Sequence, residues 1–113
     1  MQFSSELRDG VRIYRLSGNW TDGPEALRMR VALKGHLEDG ERSFVVDLAD
    51  VGLINSIGLG GLVSCYSSVN RENGTVKICG LSERNRRALF VSRLVDLFEA
   101  FDDVDAAVAS FAS

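Results

Sequence analysis

The chain has 113 residues, 45% of them hydrophobic and 26% charged, with a formal net charge of −3. That length and balance suit one soluble domain with a single core, and they argue against a nucleic-acid binder, which would show a basic face. No apolar run approaches the ~20 residues that span a bilayer, and the N-terminus lacks a secretory pattern, so neither membrane insertion nor export is expected and the cytoplasm is the expected location.

In chain order, residues 2–8 alternate weakly through Phe3, Ser5 and Leu7. Asp9-Gly10 is a strong hairpin signal, and Val11 to Leu16 reads as the returning strand, ended by Ser17-Gly18. Asn19 to Gly23 reads as a polar loop around Trp20. That indole either anchors the loop on the core or is offered to a partner. Pro24 and Glu25 open a helix whose stripe is Ala26, Met29, Leu33 and Leu37, broadened by Leu27 and Val31, with Gly40 as its stop. Phe44, Val45 and Val46 form a continuous apolar run before Asp47 and Leu48, as in a strand covered on both faces.

The next stretch changes period. Leu59, Leu62, Val63 and Tyr66 fall at i, i+3, i+4 and i+7, one face of a helix that ends near Asn73 with Gly74 as its cap. Ser56 sits at the switch from strand to helix and is read as the N-cap. A plain cap would contribute roughly 1 kcal/mol. The other reading is a phosphorylation site, because a helix N-terminus favours an anion. Gly58, Gly60 and Gly61 crowd the first turns, where each costs up to ~1 kcal/mol relative to Ala. Close packing on the sheet or close approach of a partner would explain them.

Thr75 to Cys79 reads as a strand, Ser82 as the cap of a further helix, Phe98 to Phe101 as a last strand, and Asp102 as the cap of a final helix with Asp105 three residues on. The alternation of strands and helices indicates an α/β fold, while periodicity leaves strand order open. Cys65 and Cys79 lack metal or redox spacing and read as small hydrophobes. His36 is the only histidine, so a Ser-His-Asp arrangement is implausible. Gly58-Leu59-Gly60-Gly61 lacks the Lys and spacing of a phosphate-binding loop. A phosphoryl-accepting receiver would need paired acids at strand ends, but Asp47 lies within its strand and Asp50 has no early partner. Arg84, Arg86 and Arg87 read as a solvated helix face. No enzyme, metal or cofactor is expected.

Val45 to Val63, and within it Asn55-Ser56-Ile57-Gly58-Leu59-Gly60, resembles the signature of STAS domains of the anti-sigma factor antagonist type. Residues 83–90, 94–98 and 101–107 resemble the helix and ending that follow in that family, so the resemblance covers nearly the whole of residues 1–113 as one domain. It implies a mixed sheet of four to five strands with about four helices mainly on one side, and Ser56 as phosphoacceptor. It implies an anti-sigma factor that is also a serine kinase as partner, bound to the unphosphorylated form and released by phosphorylation, with a serine phosphatase resetting the switch. Trp20, Thr21, Asp22, Asn55, Ile57, Gly58, Leu59 and Gly60 are the expected partner-binding residues. The chain departs from the family in having Asn55 where Asp is commonest, Ile57 in place of a second Ser, and a shorter loop at residues 18–24, where Thr21 or Asp22 would take the place of the family's acid. The same fold also serves as a constitutive subunit of lipid-transport ATPases or other transporters, and a small-ligand sensing module is the further alternative.

Overall fold

In the computed structural model, which describes residues 1–21 and 23–112, the Asp9-Gly10 turn closes an antiparallel hairpin. Strand β1 (Gln2–Arg8) pairs with β2 (Val11–Trp20), with Arg8 opposite Val11. Asp9 and Gly10 take φ of 52° and 78°, the positive values that a tight hairpin turn with the right-handed strand twist requires.

Strands β3 (Ser43–Ile54), β4 (Thr75–Cys79) and β5 (Ala100–Phe101) add in parallel, giving a five-stranded mixed sheet in the order β1-β2-β3-β4-β5. The crossovers are α1 (Pro24–Glu38), α2 (Ser56–Arg71) and α3 (Glu83–Val91), the last followed by a 3-10 helix at Leu94–Leu97; α4 (Val104–Ser110) closes the fold. Crossovers of one hand between strands added in one direction fall on the same face. Accordingly α1, α2 and α3 pack on one face, against Tyr14, Leu16, Phe44, Val46, Leu48 and Ile78. Helix α4 covers the other, with Val104, Ala107 and Val108 against Val11, Ile13, Val45 and Cys79. The expected α/β architecture, with helices mainly on one side, is the one observed. Phe44, Val45 and Val46 are 0%, 0% and 2% exposed, as a strand covered on both faces demands. Burying each such side chain contributes about 1.5–3 kcal/mol.

Several local expectations are corrected. Strand β2 runs on to Trp20, into the segment expected as a loop, and β3 runs on past Leu48 to Ile54. Each supplies the other's ladder, with register shifts after Arg15 and Gly18, and the Asn19 side chain accepts a hydrogen bond from the Leu53 N–H at 3.0 Å. Leu27 and Val31 are 58% and 65% exposed and lie outside the buried stripe of α1. Asn73, at φ 62°, takes the left-handed position after α2 that was assigned to Gly74. The last strand shrinks to Ala100–Phe101 because Leu94–Leu97 coil into a 3-10 turn and Phe98 turns into the core. Asp103, not Asp102, caps α4, accepting from the Ala106 N–H at 2.8 Å. Ser82 caps α3 as expected.

Candidate functional site

The site is built where β3 ends and α2 begins. The expected cap is displaced by one residue. Asn55 has extended backbone and is the N-cap, and Ser56 is the first helical residue. The Asn55 Oδ1 accepts from the N–H groups of Ile57 at 3.0 Å and Gly58 at 3.3 Å. Its Nδ2 donates to the Thr21 carbonyl at 3.3 Å, and its backbone N–H donates to the Trp20 carbonyl at 3.4 Å. One amide thus closes the helix end and ties it to the segment after β2. A carboxylate could do the first but has no donor for the second, which gives a physical role to Asn in place of the commoner Asp.

The glycines of α2 divide by what lies beneath them. A Cβ on Gly58 would sit 2.5 Å from the Trp20 carbonyl oxygen and 2.7 Å from Ile54. A Cβ on Gly61 would run into the Trp20 indole, whereas Gly60 has nothing within 4 Å. Trp20 is 0% exposed. It therefore has the anchoring role, and its expected place in a partner-facing patch is corrected: α2 rides directly on it. Gly58 is likewise buried and faces the core. Its role is to let the helix approach.

What remains outward is compact. Ser56 and Gly60 are exposed at i and i+4 of one helix face. Ile57 is 50% exposed, and Leu53, at the end of β3, is 41% exposed. Leu59 and Thr21 are half-buried. Asp22 lies outside the described residues. Leu53 was missed in sequence, and strand alternation would not have found it, because a regular strand sets Leu53 on the same face as the buried Val51 whereas β3 is irregular at this end. Asn19 and Asn85 were missed as well. Asn85 is buried in α3 and its Nδ2 donates to the Val51 carbonyl at 3.2 Å. Three neutral amides, from residues 19, 55 and 85, thus hold the segment that carries Ser56.

The electrostatics of this end are simple. The first turn of α2 holds no acidic residue, so the positive end of the helix is not neutralised from within. Strongly perturbed groups lie elsewhere. Burial pushes the thiols of Cys65 and Cys79 up to about 12, as expected for inert core cysteines. Among the described residues no cluster of His, Cys, Asp and Glu is arranged to hold a metal ion, and no helix is long and apolar enough to cross a membrane. A concavity of about 820 Å³ lies between α1 and α2 and is lined by Leu27, Arg30, Val31, Lys34 and Arg71 among others, not by Ser56 or its neighbours.

A family model described as STAS domain matches residues 2–107. BtrV of Bordetella bronchiseptica, named as a candidate anti-sigma factor antagonist, is 25% identical over 111 residues, which make up 98% of this chain and 95% of that protein. The crystal structure of an anti-sigma factor antagonist from Mycobacterium paratuberculosis superposes with a TM-score of 0.84 at 24% identity, covering 99% of this chain and 94% of that one. The unphosphorylated form of the anti-sigma factor antagonist SpoIIAA gives a TM-score of 0.74 at 12% identity, covering 97% and 96%. The phosphorylated form of SpoIIAA, a Bacillus cell fate determinant, gives 0.76 at 15%, covering 98% and 99%. The superpositions cover nearly the whole of each chain, and the family model spans all but the two ends; the chain belongs to the STAS domain family, among relatives named as anti-sigma factor antagonists.

Proposed function

We propose that the protein is an anti-sigma factor antagonist, a non-enzymatic switch that binds a cytoplasmic anti-sigma factor with serine kinase activity and is released when Ser56 is phosphorylated. The observation that carries this reading is the separation of acceptor from cap. Ser56 is exposed, while the hydrogen bonds that close α2 belong to Asn55. A phosphate on Ser56 adds about −1.5 to −2 charges without removing a capping bond. It would meet the positive end of the helix, an effect of about 0.3–1 kcal/mol in its favour. The domain therefore stays folded.

The cost falls on the partner. Ile57, Leu53 and the open face at Gly60 form the contact patch around the hydroxyl, with Leu59, Asn55 and Thr21 at its edge. Burying a phosphate in such an interface without a facing cation weakens docking, and about 3 kcal/mol suffices for a hundredfold change. Trp20 and Gly58 act from below by fixing the position of α2. SpoIIAA, which shares the fold at 15% identity, is known in a phosphorylated form, and a phosphorylated state of this chain is proposed by analogy with it. A serine phosphatase would restore the binding form.

The test is a paired capture from native lysate with Ser56→Ala and Ser56→Asp proteins. A serine kinase of the anti-sigma type held by the first and lost by the second is the expected result. The same partner on both, a transport ATPase above all, would reduce Ser56 to a helix residue and make the protein a constitutive subunit. A small molecule that raises the melting temperature, with no protein captured, would point to ligand sensing.

A further inference from the structure

We propose that the outer face of α3 is a second docking surface, which takes an acidic amphipathic helix of a partner protein and acts independently of Ser56. Helix α3 buries Asn85 and Leu89. Its other side leaves Phe90 and Val91 70% and 74% exposed, the two most exposed large hydrophobic side chains in the described chain. Helical spacing sets Arg86 beside Phe90 and Arg87 beside Val91, two parallel i, i+4 rows, with Arg84 at the edge.

The charges are as unusual as the apolar pair. None of the guanidinium groups of Arg84, Arg86, Arg87 and Arg93 pairs with a carboxylate among the described residues. Arg93 also holds φ 62°, the left-handed position after a helix that Gly usually fills. Residues 84–93 carry four of the thirteen basic residues and none of the sixteen acidic ones, so the rest of the chain holds nine basic against sixteen acidic, a net −7. Helix α3 opens on the exposed Glu83, four residues before Arg87, and beyond it the face from Arg84 to Arg93 is a cationic patch on an anionic body.

That distribution selects the occupant. Anionic bilayers and nucleic acids present extended negative surfaces, which the rest of the molecule repels, and two apolar side chains anchor little in a membrane. A single acidic helix is small enough to meet the patch alone. Rows at i, i+4 seat in the grooves of a second helix at 8–10 Å. Phe90 and Val91 would supply the dry centre and the arginines the charged rim.

The test is a fluorescence-anisotropy titration of the full chain with a synthetic 16-residue helix bearing Leu at i, i+3, i+4 and i+7 and Glu on its flanks. Saturable binding is expected. Arg86→Glu with Arg87→Glu should weaken it about tenfold, and Phe90→Ser by a similar factor. Ser56→Asp should leave it unchanged, as should Arg30→Glu with Arg71→Glu, which reverses exposed cations elsewhere. All four variants change exposed side chains, and their melting curves are checked first. No saturable binding below about 1 mM would overturn the proposal. So would loss caused equally by the Arg30 and Arg71 changes, loss caused by Ser56→Asp, or a preference of the α3 face for phosphatidylserine vesicles or for a second copy of the chain in parallel titrations.

Discussion

Replacing each glycine in the first turns of α2 by alanine should give effects of opposite sign on stability. Alanine is favoured over glycine in a helix by about 0.8–1 kcal/mol. Gly60 has nothing within 4 Å of its would-be Cβ, so Gly60→Ala should realise most of that gain. At Gly58 the new methyl would lie 2.5 Å from the Trp20 carbonyl, a backbone atom held in place because it also accepts from Asn55 N–H. At Gly61 it runs into the six-membered ring of an indole with no exposed surface. Overpacking of this kind costs about 1–3 kcal/mol, which exceeds the propensity gain. The expected order is therefore Gly60→Ala above wild type by ~0.5–1 kcal/mol, and Gly58→Ala and Gly61→Ala below it by ~1–2 kcal/mol. For a domain of this size each kcal/mol moves the melting temperature by roughly 4 °C, so circular-dichroism melts with urea titrations resolve the difference. Equal stabilisation by all three alanines would refute the close seating of α2 on Trp20. Gly60→Ala should in addition weaken partner capture, because its open face is where a partner backbone comes close.

Asn55→Ala should lower stability by about 1–2 kcal/mol in urea melts, whereas Ser56→Ala should change it by less than ~0.5 kcal/mol; the reverse order would return the capping role to Ser56. The Arg12 guanidinium makes a two-point contact with Glu41, at 2.8 and 2.7 Å, and holds its carboxyl below the usual value of 4.5. The folded state thus binds that proton less readily than the unfolded chain, so the pair's contribution is complete above the unfolded value and fades as pH falls through the lowered one. Glu41→Gln should cost about 1 kcal/mol at pH 7 and progressively less below pH ~4.5 in melts taken across that range; a loss independent of pH would contradict the ion pair. With both thiols buried and pushed up to about 12, Cys65 and Cys79 should resist a thiol-disulfide reagent at pH 8 until the protein is unfolded, and rapid labelling of the native protein would show that the core opens there.

What was legible in the sequence was what short-range chemistry decides. Asp9-Gly10 had only one economical backbone, Phe44 to Val46 had no polar face to show, and Ser82 stood alone before its helix. The choice between Asn55 and Ser56 was different. Both are good N-cap residues, and what distinguishes them is that the Asn55 side chain can accept from the helix N–H groups and at the same time donate to the Thr21 carbonyl, which lies 34 positions away in sequence. Trp20 looked like a loop residue because the extension of β2 depends on β3 pairing with it. Leu27 and Val31 fit the helical period, yet no element of the fold covers them. The position of Ser56 at a helix start suggested either a cap or a phosphorylation site, and only the resemblance, which joins distant fragments, favoured the second.

The most direct measurement compares partner binding by unmodified protein and by protein carrying phosphoserine at position 56, made homogeneous by incorporation during synthesis. Isothermal titration with the captured kinase should show affinity lower by about a hundredfold for the phosphorylated form, with a melting temperature within a few degrees of the unmodified one. Equal affinity for the two forms would contradict the switch. A phosphorylated protein that no longer melts cooperatively would contradict the claim that Ser56 is separate from the cap.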